Sequence, residues 1–182
     1  MGIQASYRRI TPSEWEKIQS LTMKDATPPG YDVEEAYLEF ACSDELMSSD
    51  RYLSIEKEWH ALHTLLTGDV GDPSEIKPFP PPLGNVVMGG SETPFNSTYG
   101  SVRVLTPNEV REVAGAIKKI TIDDLKSRFD PVEFTKAGVY PNPRPGGWES
   151  DQLEPLLFYY PQLVDFFDVA AKEGDVVLLS FD

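Results

Sequence analysis

Over the first eight residues apolar and polar side chains alternate, with Ile3, Ala5 and Tyr7 set against Gln4, Ser6 and Arg8. A period of two predicts a half-buried N-terminal strand. The period then lengthens. Trp15, Ile18 and Leu21 suit one face of a short helix after Thr11, and Tyr37, Leu38 and Phe40 suggest another over 33–41. Ile55, Trp59, Leu62 and Leu66 repeat at helical spacing, with Gly68 where a left-handed C-cap belongs. Residues 69–98 are rich in Pro and Gly around Pro80-Pro81-Pro82 and read as one long covering loop.

The second half is more regular. Tyr99–Leu105 reads as a strand, and Val110, Val113, Ala114 and Ile117 make an amphipathic helix. Leu125 and Phe129 close a shorter one, while the prolines of 138–149 exclude regular structure there. Leu163, Phe166, Phe167, Ala170 and Ala171 define a strong helix that stops at Gly174. Val176–Phe181 is a continuous apolar run, the mark of a strand buried on both faces. Strands at both chain ends with helices between predict an α+β fold, a single domain over 1–182 around a small mixed β-sheet.

Helix starts are written plainly. The pattern Thr/Asp-Pro-x-Glu occurs at Thr11–Glu14, Asp72–Glu75, Thr106–Glu109 and Asp130–Glu133. Each offers an N-cap oxygen, a proline at the first helical position and a glutamate able to reach back. Thr121 to Asp124 is a shorter variant.

Composition narrows the function classes. Sixteen Lys and Arg against 30 Asp and Glu leave a formal charge of −14. That field repels phosphate backbones and anionic lipid, so neither nucleic acid nor membrane is an expected partner. It suits a basic partner protein, or solubility alone. No apolar run has membrane-spanning length, and the N-terminus lacks a signal-peptide pattern. The single cysteine, Cys42, excludes an internal disulfide and reads as an inert buried thiol of a cytoplasmic protein, monomeric or a small homo-oligomer. Gly89-Gly90-Ser91 lacks the Lys-Ser/Thr of a phosphate loop, and no Gly-x-Ser-x-Gly elbow occurs. No cofactor is expected and no catalytic residue is assigned.

Both histidines fall in one stretch, Glu56 to Gly68. On a helical wheel Ile55, Trp59, Leu62 and Leu66 span roughly 60°, and Glu56, His60, His63 and Thr67 form a stripe beside them. This predicts a half-buried shoulder bearing an acid, two imidazoles and a hydroxyl. Glu56, His60 and His63 are the residues that would ligate a metal, but the spacing is not that of a zincin and no Cys cluster accompanies it, so none is assigned. The histidines can alternatively act as an acid–base pair or ligand contacts. The plainest role is structural, at the core edge, bonded to carbonyls of the covering loop.

The string Trp59-His-Ala-Leu-His63-Thr-Leu-Leu-Thr-Gly68 resembles the bacterial YfbM-like proteins, a family of unknown function. The similarity continues through Val86–Gly90, Tyr99–Val110, Arg128–Pro131, Tyr140-Pro141, Trp148 and Leu163–Leu179. It implies a bacterial, soluble α+β domain and carries no catalytic residue to this chain. Of the two histidines, His63 follows the family pattern more regularly. Two function classes follow. One is a non-catalytic acidic module for a partner protein, of immunity, antitoxin or regulatory type, with Trp59, Phe79, Phe95, Tyr140 and Trp148 as candidate contacts. The other is a small-molecule site or enzyme over the Glu56, His60, His63 and Thr67 stripe, closed by the loop 69–98.

Overall fold

The structure, a computed structural model, describes residues 2–20, 33–69, 79–142 and 145–182. Strands β1 (Ala5–Ile10), β2 (Tyr52–Ser54), β3 (Ser91–Ser97), β4 (Gly100–Leu105) and β5 (Val176–Phe181) form one open sheet in the order β2-β1-β5-β4-β3. The α+β class and the strands at both ends are as the sequence predicts. The pairings among these strands are antiparallel throughout, where a mixed sheet was expected. The two end strands run side by side from Ala5 opposite Phe181 to Ile10 opposite Val176. β3 and β4 are joined by a tight hairpin at Thr98-Tyr99, a connection only antiparallel neighbours permit.

Helices cover both faces. On one side α4 (Trp59–Thr67), α5 (Pro107–Ile117) and α9 (Tyr159–Glu173) pack on Ala5, Tyr7, Val177, Leu179 and Phe181. On the other, α1 (Pro12–Ser20) and α2 (Val33–Ala41) enclose a smaller core that includes Ile10, Ile18, Tyr37, Phe95 and Leu178. This second layer corrects the half-buried reading of the first strand. All six residues of β1 are buried, so its alternation records which core each side chain enters, not whether it meets water.

The region 69–98 is also not one loop. Within it, residues 70–78 lie outside the described residues, and with them the expected cap at Asp72–Glu75. Beyond them Leu83–Val86 forms a 3-10 turn, and residues 84–89 are buried. Gly84 is required there, because a Cβ would lie 1.9 Å from the Phe79 carbonyl oxygen. Ser91–Ser97 is the edge strand β3, with Thr93 and Phe95 buried and Pro94 exposed. Proline is tolerated on an edge strand, where its missing N–H interrupts no ladder on the open side. Its presence hid the alternation.

The remaining helices are α3 (Asp44–Met47), α6 (Ile122–Arg128), α7 (Pro131–Lys136) and α8 (Leu153–Leu157). The Thr106–Glu109 and Thr121–Asp124 pairs form reciprocal capping boxes, and Thr11 and Glu14 exchange the same bonds. Asp130 accepts from the Val132 and Glu133 amides. Gly68 and Gly174 adopt φ of 75° and 74°, ending α4 and α9 as predicted. Among the described residues no helix is long and apolar enough to cross a membrane.

Candidate functional site

The histidine helix is sealed. Glu56–Glu58 form a 3-10 turn, and α4 begins only at Trp59. Every residue from Trp59 to Leu66 is buried, with His60 at 0% and His63 at 1% exposure. The expected half-buried shoulder is therefore corrected. The 3-10 turn at Leu83–Val86, together with α6 and α8, packs against α4, and a helix covered all round presents no shoulder.

The predicted stripe also comes apart. Glu56 precedes the helix with φ 51°, a left-handed conformation held by a bond from its amide to Ser54 Oγ, and it accepts from Gln4 Nε2 at 2.6 Å. Thr67 turns back on the helix, donating to the His63 carbonyl and accepting from the Asp69 amide. His60 stacks on Trp59, and its Nδ1 accepts from the Tyr140 amide at 3.0 Å. That bond comes from residue 140, outside the covering loop 69–98. Trp59 Nε1 donates to the Ile3 carbonyl, and the Tyr140 hydroxyl accepts from the Ile3 amide.

His63 stands apart from these bonds. Its ring meets Phe79 edge to face at 6.2 Å, and its Nδ1 is buried without a hydrogen-bond partner among the described residues. Burial pushes its pKa down to about 4, nearby His60 lowers it further, and Asp69 opposes both. The imidazole is thus neutral near pH 7 and closed off from water by the described residues around it. Among the described residues no three His, Cys, Asp or Glu side chains come together to hold a metal ion.

Three of the aromatic contact candidates, Trp59, Phe95 and Trp148, are core residues. Trp148 is buried in a ring cluster with Phe129 and Phe134, its Nε1 bonded to the Val139 carbonyl. Phe95 stacks on Tyr37 at 4.5 Å. Tyr140 is half-buried and borders an open concavity of about 680 Å³ with Glu56, Lys57, Glu58 and Tyr159. Burial and the charge of Glu56 push the Glu58 carboxyl up there, against bonds from its backbone surroundings.

A better-formed cleft, of about 310 Å³, lies on the opposite side of the sheet from α4. Its floor comes from β1 and β5. Register places Ser6 opposite Ser180, and the polar face that the N-terminal alternation marks out lies here. Arg8 is 5% exposed and donates through Nε to the Ala41 carbonyl at 2.7 Å and through Nη1 to Ser180 Oγ at 3.0 Å. Ser180 Oγ in turn donates to Asp182 Oδ2 at 2.8 Å. The guanidinium also lies 5.3 Å from the centroid of the Tyr52 ring. No carboxylate of the described residues pairs with Arg8 directly.

Helix α2 forms the wall. Tyr37 is 2% exposed, and its hydroxyl is buried with no partner among the described residues. Burial pushes that hydroxyl up to about 12, with Arg8 opposing and Asp182 and Cys42 adding, so it stays a proton donor. Leu38 and Met47, 46% and 38% exposed, give the cleft an apolar rim. Cys42 is exposed at the same cleft, which corrects the buried thiol: the chain turns out of α2 at Ala41, and the next side chain faces solvent.

Sequence reasoning missed this site. Its available signal was Arg8 itself, a charge within a strand, and that signal needs the second helical layer before it reads as burial.

An α+β domain with helices on both faces of its sheet, a closed histidine helix and a lined cleft on the opposite sheet face is the class these observations define. A family model described as "Domain of unknown function (DUF1877)" matches residues 1–180, and the chain belongs to that family. The crystal structure of YfbM from Escherichia coli, a protein of unknown function, is similar with a TM-score of 0.66 at 15% identity. The likeness covers 98% of this chain and 99% of that one, and it is a likeness of fold. No curated protein matches the chain.

Proposed function

We propose that this protein is a binding domain for a small organic molecule, held in the cleft between the outer sheet face and α2. The observation that carries this reading is the Tyr37 hydroxyl, buried and unpartnered in the cleft wall. A buried polar group without a partner costs about 1–3 kcal/mol, and a ligand that accepts from it removes that cost. The volume lies at the lower end for small-molecule pockets. The small-molecule class read from the sequence is retained, and its location moves from the histidine helix to the opposite face of the sheet. The test is a thermal-unfolding screen of the full chain against amino acids, carboxylates, amines and sugars, run beside Tyr37→Phe. The reading expects a class that raises Tm in the wild type and not in the variant. A panel that leaves Tm unmoved, or moves both proteins equally, contradicts it.

A second reading keeps the acidic module for a basic partner protein. It is favoured by the net charge and by the concavity where Glu56 and Glu58 meet Tyr140 and Tyr159. Its test is titration of a lysine-rich peptide at low and high salt. Binding that weakens with salt and with Glu56→Gln/Glu58→Gln supports it, and binding indifferent to that double change removes it.

A further inference from the structure

Resting on the small-molecule reading above, we infer that the cleft binds a free α-amino acid with an apolar side chain. Arg8 and Asp182 are the charged residues of its lining, one of each sign. They differ in depth. Arg8 is 5% exposed at the floor, whereas Asp182 is exposed at the rim. Ser180 links them, accepting from Arg8 at 3.0 Å and donating to Asp182 at 2.8 Å.

A dianion such as a phosphomonoester is a poor match, because it would set two charges against one guanidinium with a carboxylate close by. A simple cation suits Asp182 but brings its charge toward Arg8 and offers nothing to the Tyr37 hydroxyl. A zwitterion fits both ends. Its carboxylate accepts from the Tyr37 hydroxyl and faces Arg8, a charge-assisted arrangement in a setting drier than bulk water. Its ammonium lies toward Asp182, whose carboxylate receives a bond from Ser180 and pairs with no described cation.

The apolar part of the ligand has its own lining. Leu38, Met47 and Val102 border the cleft, and the first two are among the large apolar side chains the fold leaves exposed. Covering them removes apolar surface from water, which favours a branched aliphatic side chain over a polar one. The protein's overall charge of −14 also disfavours a free anion and leaves a net-neutral zwitterion unaffected.

Three probes of one carbon skeleton test this on the full chain: leucine, 4-methylpentanoate and 3-methylbutan-1-amine, each titrated while the methyl signals of Leu38, Met47 and Val102 are followed by NMR. Leucine should bind about tenfold or more tightly than either analogue. Tyr37→Phe should weaken leucine and 4-methylpentanoate together. Asp182→Asn should weaken leucine while leaving 4-methylpentanoate unchanged or tighter. A carboxylate or amine that binds as tightly as leucine at the same methyls overturns the amino-acid assignment and leaves the cleft as a ligand site. If none of the three moves these methyls, the assignment is overturned as well, and the cleft then stands or falls on the broader thermal panel.

Discussion

Arg8 donates through Nε to the carbonyl of Ala41 across 2.7 Å, joining the middle of the first strand to the last residue of α2. That helix has no basic residue in its own last turn, so a buried guanidinium from the sheet supplies the positive charge its C-terminus favours. The same contact fixes the wall of the cleft. One turn earlier on the helix, Tyr37 holds a hydroxyl that no described residue engages.

Tyr37→Phe is therefore expected to leave stability unchanged or raise it by about 1 kcal/mol, since it removes an unsatisfied buried oxygen while keeping the ring stacked on Phe95. Urea unfolding of the two proteins checks this. A loss above about 1 kcal/mol would show that the hydroxyl has a structural partner.

His63 gives the fold a dependence on pH. Its folded pKa, about 4, lies below the ordinary value of 6.5, so the unfolded chain takes up the proton first as pH falls. The contribution is complete above about pH 6.5, declines as pH falls toward 4, and is constant below. It amounts to about 2 kcal/mol between pH 7 and pH 5. Urea titrations at those two pH values should show this loss in the wild type and a smaller one in His63→Leu. An identical loss in both proteins contradicts the assignment.

The aromatic residues separate into core and surface. Trp148→Ala should cost about 3–5 kcal/mol, because it empties a ring cluster and leaves the Val139 carbonyl without its donor. Phe158, 66% exposed, should tolerate alanine within about 0.5 kcal/mol. Equal effects at the two positions would refute the placement of Trp148 inside the core.

Thr106→Ala should cost about 1 kcal/mol by opening the capping box at the start of α5. Denaturant midpoints measure it. A change below about 0.3 kcal/mol would mean that solvent satisfies that helix end equally well.

Much of the fold was legible in local signals. The threonines and prolines at the helix starts, the glycines at 68 and 174, and the terminal strands act within a few residues of themselves, and each stands where its own chemistry puts it. What failed to read depended on partners distant in sequence. The wheel gave the relative phases of His60 and Thr67 but not that neighbours would cover every side of α4. Pro94 masked the alternation of Thr93 and Phe95, because only the sheet order reveals that β3 is an edge. The candidate site was least legible. Arg8, Tyr37 and Ser180 are far apart in the chain, and Arg8 looks like an ordinary solvated strand residue until α2 closes over it.

On the proposed function, ligand chemistry belongs to the Arg8–Tyr37 cleft and the histidine helix is structural. One measurement addresses both halves: methyl NMR of the full chain titrated with the small-molecule class that raises its Tm. Shifts are expected at Leu38, Ala41, Met47 and Val102, with Ala61, Leu62, Leu65 and Leu66 of α4 unmoved. Shifts concentrated in α4 beside His63, with the cleft methyls silent, would contradict it.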